Sequence, residues 1–102
     1  MTNFANLLYL LTEFSLRSGF VEKAEIYSKA GVELFNEDQR FKESLAYCCI
    51  LKDEYAKARE LIPKMELKTT NRTFLDLKLA IQDNDIENIN GLLGEYYDSL
   101  FL

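Results

Sequence analysis

A 34-residue offset governs this sequence. Asp53, Ala58 and Met65 stand 34 positions after Gly19, Ala24 and Gly31, and Leu45 stands 34 after Leu11. The later copy is centred on Lys52-Asp53-Glu54-Tyr55-Ala56-Lys57-Ala58-Arg59-Glu60-Leu61-Ile62. A period of roughly 20–50 residues marks repeat architectures, and this one holds two helices and their turn. Small residues at the turn and along the second helix let the two helices press together. The chain therefore reads as a short array of helical hairpins, a binding surface rather than a reaction vessel.

At 102 residues the chain has room for one domain, spanning 1–102. One proline and four glycines leave little scope for a loop-rich all-β fold, and the supply of Leu, Ala, Glu and Lys favours helix. Residues 3–18 read as the first helix, ended by Ser18-Gly19, with Phe4, Leu7, Leu8 and Leu11 as its buried stripe. A second helix is expected over 22–35, turned inward on Val21, Ala24, Tyr27, Ser28, Gly31 and Leu34. Gly31 inside it costs about 1 kcal/mol relative to alanine, a loss that close approach of a neighbouring helix would offset. Asn36-Glu37-Asp38 starts a third helix over 38–52, and a fourth follows over 54–66, with Pro63 expected to kink or end it early. Thr69-Thr70-Asn71 caps a fifth helix ending near Gln82, and a sixth runs from Ile86 to about Leu100 on Ile86, Ile89, Leu92, Leu93, Tyr96 and Leu100. The hairpins thus span about 3–35, 38–66 and 70–101, the third matched to the second at an offset of 31 (Ala58 to Ile89).

Stacked hairpins line a concave side with the first helix of each pair. On those helices Tyr9 and Leu16 fall opposite Leu11, Tyr47 and Ile50 fall opposite Leu45, and Phe74 and Ile81 take the same places in the third hairpin. They are aromatic or aliphatic where water is expected, so the pattern reads as a hydrophobic groove for an amphipathic helix. The alternative is ordinary core, if so small an array closes on itself. Covering six such side chains would supply on the order of 5–10 kcal/mol before ordering costs, at roughly 25 cal/mol per Å². The end Gly94-Glu95-Tyr96-Tyr97-Asp98-Ser99-Leu100-Phe101-Leu102 finishes on bare hydrophobic residues without the polar capping helix that helical arrays usually need, so it is expected either to fold back or to be covered by a partner.

Other chemistries are poorly served. Twelve Lys and Arg against 17 Asp and Glu give a net charge of −5, with the basic residues scattered, which argues against a nucleic-acid partner. There is no histidine, so general-base, nucleophile-relay and zinc arrangements lose their usual member. Carboxylates such as Glu22, Asp53 and Asp85 fall on turns and polar faces, and Gly91 and Gly94 lie inside a predicted helix rather than a phosphate loop. No enzymatic activity, metal or cofactor is expected. Cys48 and Cys49 are adjacent on a helix, face different ways and read as two small buried thiols in a reducing compartment. Leu7–Leu11 is too short for a signal peptide or a membrane span, which points to a cytoplasmic protein with no membrane insertion.

The marks Gly19/Ala24/Gly31 and Asp53/Ala58/Met65, with Tyr55 at the second turn, resemble the tetratricopeptide repeat. Within that group the chain resembles the small chaperones of bacterial type III secretion systems, most nearly the one that holds the needle subunit. Gly31 and Ile89 depart from the pattern, standing where alanine is usual. The resemblance implies an all-α superhelix of three tandem hairpins. Its concave groove would sequester the aggregation-prone helical needle subunit in a bacterial cytoplasm. It also implies a small helical co-chaperone packed on the N-terminal part, for which Phe4, Leu7 and Leu8 are the candidate contacts, and hence a hetero-oligomer. Two further readings stay open: a generic tetratricopeptide adaptor in a regulatory or scaffold complex, and a homodimer that buries its own apolar face.

Overall fold

The computed structural model describes residues 2–101, with side chains from Phe4 to Phe101. In chain order it comprises α1 (Thr2–Arg17), α2 (Val21–Leu34), α3 (Gln39–Leu51), α4 (Tyr55–Leu61), a 3₁₀ turn (Ile62–Lys64), α5 (Thr70–Gln82) and α6 (Ile86–Phe101). The fold is all-helical, with no strand among the described residues. The ends of α1, α2 and α3 fall within one residue of those read from the sequence.

One turn geometry occurs three times. Gly19 has φ 81°, its N–H donates to the Leu16 carbonyl at 3.2 Å, and the Phe20 N–H reaches back to the Ser15 carbonyl at 2.8 Å. These two bonds satisfy the last carbonyls of α1 and turn the chain into α2. Asp53 (φ 60°) repeats the pattern, with Asp53 N–H to Ile50 O at 3.1 Å and Glu54 N–H to Cys49 O at 2.7 Å. Asn84 (φ 58°) repeats it again, through Asn84 N–H to Ile81 O at 3.1 Å and Asp85 N–H to Ala80 O at 3.0 Å. The three left-handed residues are spaced by 34 and then 31 positions, so the shorter offset of the third hairpin lies in the backbone itself.

Helix starts are equally local in origin. The Asp38 carboxylate accepts from the Arg40 N–H at 3.2 Å, and the Thr69 hydroxyl accepts from the Arg72 N–H at 3.1 Å. Pro63 acts as expected: α4 stops at Leu61 and the chain tightens into the 3₁₀ turn.

Packing joins α1 to α2, α3 to α4 and α5 to α6, and the first helices touch in series, α1 on α3 and α3 on α5. Helix α3 is the centre, since α2 also lies against it. Its buried residues are Phe41, Glu43, Ser44, Leu45, Ala46, Cys48, Cys49 and Ile50, so it is enclosed on nearly every side. The main core joins Ala46, Cys49 and Ile50 to Ala58, Ile62, Met65, Leu75 and Leu79. A second core gathers Ala5, Leu8 and Phe41, with Tyr9, Tyr27 and Phe35 packed around them. Both cysteines are free and buried, and burial pushes the Cys48 thiol up to about 11, reinforced by Cys49.

Gly31 explains how α2 meets α3. A Cβ at this position would stand 2.1 Å from Cδ1 of Phe41, a ring with no exposed surface. The ring occupies the space a side chain would need.

The buried side of α1 is not the one expected. Ala5, Leu8, Thr12 and Ser15 face inward, while Phe4, Leu7 and Leu11 are 43–53% exposed, as are Leu10 and Phe14 to a greater degree. The physical reason is close packing of small groups. On α2 the inward residues are likewise Ala24, Ser28 and Gly31. The Thr12 hydroxyl donates to the Leu8 carbonyl at 2.9 Å and the Ser28 hydroxyl to the Ala24 carbonyl at 2.7 Å, so neither is buried unsatisfied. Helix α6 also departs from its expected stripe. Only Leu92 is buried, against Leu77 and Ala80 of α5, with Ile89 beside it. None of the described helices is long and apolar enough to cross a membrane.

Candidate partner-binding groove

The first helices of the three hairpins line an open-sided cavity of about 280 Å³. Helix α1 contributes Glu13, Leu16 and Arg17, helix α3 contributes Glu43, Ser44 and Tyr47, and helix α5 contributes Asn71, Phe74 and Leu75. On each helix these residues recur at helical spacing, so one face of each turns to the same space. Tyr47 and Phe74 meet at 6.2 Å between ring centroids, and Phe74 continues to Tyr96 of α6 at 5.7 Å.

The floor is polar and ordered. Glu43, only 6% exposed, accepts from Gln39 Nε2 at 2.9 Å and from Asn71 Nδ2 at 3.4 Å, and the Thr69 hydroxyl also donates to it. Gln39 in turn clasps the backbone of Leu67 on both sides, donating to its carbonyl at 2.6 Å and accepting its N–H at 2.8 Å. The segment leading into α5 is thereby stitched to α3. Between α1 and α3, Glu13 accepts from the Ser44 hydroxyl at 3.2 Å. Among the described residues, no Lys or Arg stands within ion-pair distance of Glu13 or Glu43.

Of the six residues picked from the sequence for this face, Leu16, Tyr47 and Phe74 line the cavity together, one from each first helix. Tyr9 does not line it. It lies half-buried on the same side of α1, edge-on to Phe41 at 6.1 Å and under the Arg40 guanidinium at 4.6 Å. Burial, with the negative charges of Glu13 and then Glu43, raises its phenol above the ordinary value.

Ile50 is a correction: it is 8% exposed and belongs to the core with Ala58, Ile62 and Leu75. The position opposite Leu45 is not solvent, because α3 is enclosed by its neighbours on that side as well. Ile81 is a second correction, 55% exposed at the C-terminal end of α5 and outside the cavity. Five of the nine lining residues are polar. Glu13, Glu43 and Asn71 were not singled out in the sequence, although the signal was there. Glu13 follows Tyr9 by one turn, Glu43 precedes Tyr47 by one turn, and Asn71 precedes Phe74 by three residues.

No family model, curated protein or solved structure matches this chain. The geometry stands on its own.

At the N-terminal end Phe4 and Leu7 are each 53% exposed, but Leu8 is 7% exposed inside the second core. Leu8 is therefore removed from the contact surface proposed for it. Leu10, Leu11 and Phe14 extend the exposed face of α1 instead.

Proposed function

We propose that this chain is a tetratricopeptide-like binding chaperone that holds an amphipathic helix of an aggregation-prone partner in the groove between α1, α3 and α5. The partner class that fits the sequence resemblance is a type III secretion needle subunit, kept apart from its own kind in the bacterial cytoplasm. The observation that carries this reading is the meeting of Leu16, Tyr47 and Phe74 in one cavity, each from the first helix of a different hairpin. Apolar anchors at successive turns of a guest helix would find three apolar receptors in a row. A small helical co-chaperone would cover the outer face of α1, where Phe4 and Leu7 lie with Leu10, Leu11 and Phe14.

The adaptor reading draws its support from the polar floor formed by Glu43, Ser44 and Asn71, which suits a peptide of mixed polarity. A carboxylate clamp for a peptide terminus needs more basic groups than Arg17 alone.

The test is co-expression with a needle subunit and measurement of the complex. Tyr47→Asp or Phe74→Asp should weaken it by ~2 kcal/mol or more, about thirtyfold, as loss of a central aromatic contact does. Helicity by circular dichroism should hold, because both side chains are only half-buried. Undiminished binding by both variants would remove the groove from the account.

A further inference from the structure

We infer that the groove selects a guest helix bearing a lysine or arginine among its apolar anchors, seated between Glu13 and Glu43. This rests on the groove reading above and adds the chemistry of the occupant. Two carboxylates line the cavity, Glu13 on α1 and Glu43 on α3. Each is held by neutral donors, Ser44 for the first and Gln39, Thr69 and Asn71 for the second. A buried carboxylate is ordinarily balanced by a cation, and Glu43 is buried without one among the described residues. Four hydrogen bonds make these oxygens a preorganised acceptor set, so little would have to move when a cation arrives.

The other walls agree. Tyr47 and Phe74 present aromatic rings, which attract cations over their faces. Cations already use the rings around this site in that way, Lys78 above Phe74 at 5.4 Å and Arg40 above Tyr9 at 4.6 Å. The apolar stem of a lysine or arginine would pass Leu16 and Leu75 while its head reached the carboxylates. Arg17 also lines the cavity, but it is exposed, where solvent screens its charge. Its effect is to disfavour a second basic residue beside the first. A wholly apolar guest would cover the half-exposed Glu13 with no cation to balance it, which makes the carboxylates a device for rejecting such helices.

The experiment uses the full chain and three helical peptides of about 18 residues, with leucines at i, i+3, i+4 and i+7. They differ at one position between the leucines, which is lysine, norleucine or glutamate. Fluorescence anisotropy of labelled peptide gives the affinities at low and high salt. The lysine peptide is expected to bind at least tenfold more tightly than the glutamate peptide, with a preference that shrinks as salt rises. Glu13→Gln, and Glu13→Gln with Glu43→Gln, are expected to bring the lysine and glutamate peptides' affinities to within about twofold of each other and to raise the norleucine peptide's affinity. The single variant keeps the comparison sound if loss of the Glu43 charge disturbs folding, because Glu13 is only half-buried. Equal binding of the lysine and glutamate peptides would overturn this inference and leave the groove standing. Binding of none of the three would overturn both.

Discussion

At Gly31 the ring of Phe41 fills the volume that any other residue would need, and Phe41 has nowhere to go. Phe35 stacks on it at 6.0 Å and Tyr9 meets it edge-on at 6.1 Å. Helix propensity alone says that Gly31→Ala should stabilise the chain by about 1 kcal/mol. The 2.1 Å approach says the reverse, because overpacking a filled core costs typically 1–3 kcal/mol. We expect steric cost to win and the melting temperature of Gly31→Ala to fall by several degrees in a circular-dichroism melt. An unchanged or higher melting temperature would show that the interface between α2 and α3 gives way easily. The glycine was readable as a close-approach residue from its place inside a helical pattern. Its opposite number was not, because nothing in the sequence pairs residue 31 with residue 41.

At the scale of elements, the three turns carry the repeat. Glycine adopts the left-handed region freely, whereas an L side chain there is strained, least so for asparagine and aspartate. Asn84→Gly should therefore raise stability by roughly 0.5–1 kcal/mol, while Gly19→Ala should lower it by ~1 kcal/mol. Chemical denaturation with matched m-values is the check. Opposite signs would mean that the backbone at these positions is not left-handed in solution. Asp53 makes a poorer test, because its carboxylate also accepts from the Tyr55 hydroxyl at 2.9 Å. Helix limits were legible because Gly19, Asp38, Pro63 and Thr69 are local signals. The inward face of α1 was not. Its leucines and phenylalanines outnumber the small residues that pack, and periodicity ranks oiliness above closeness. Helical spacing puts Tyr47 and Ile50 on one face and the fold divides them, since only the position of α3 among its neighbours decides which side meets solvent.

For the whole molecule the exposed outer face of α1 dominates behaviour in isolation. Phe4, Leu7, Leu10, Leu11 and Phe14, each 43–64% exposed, share one side of α1, and contiguous exposed apolar faces of this kind mark sites of association. Sedimentation velocity of the chain without partners should show concentration-dependent self-association. Leu10→Ser with Phe14→Ser should reduce it at unchanged helicity. A wild-type chain that stays monomeric at high concentration would show that this face needs no cover. Helix α6 differs in kind. It lies on α5 through one buried leucine, with half-buried Ile89 beside it and Tyr96 against Phe74, aided by the Lys68–Glu95 ion pair at 2.9 Å, whose two side chains are about half exposed and worth little in water. It is thus the piece of the protein that opens most cheaply. Its amides should trade hydrogen for deuterium first, and a protease should find its earliest foothold in α6 rather than at α3.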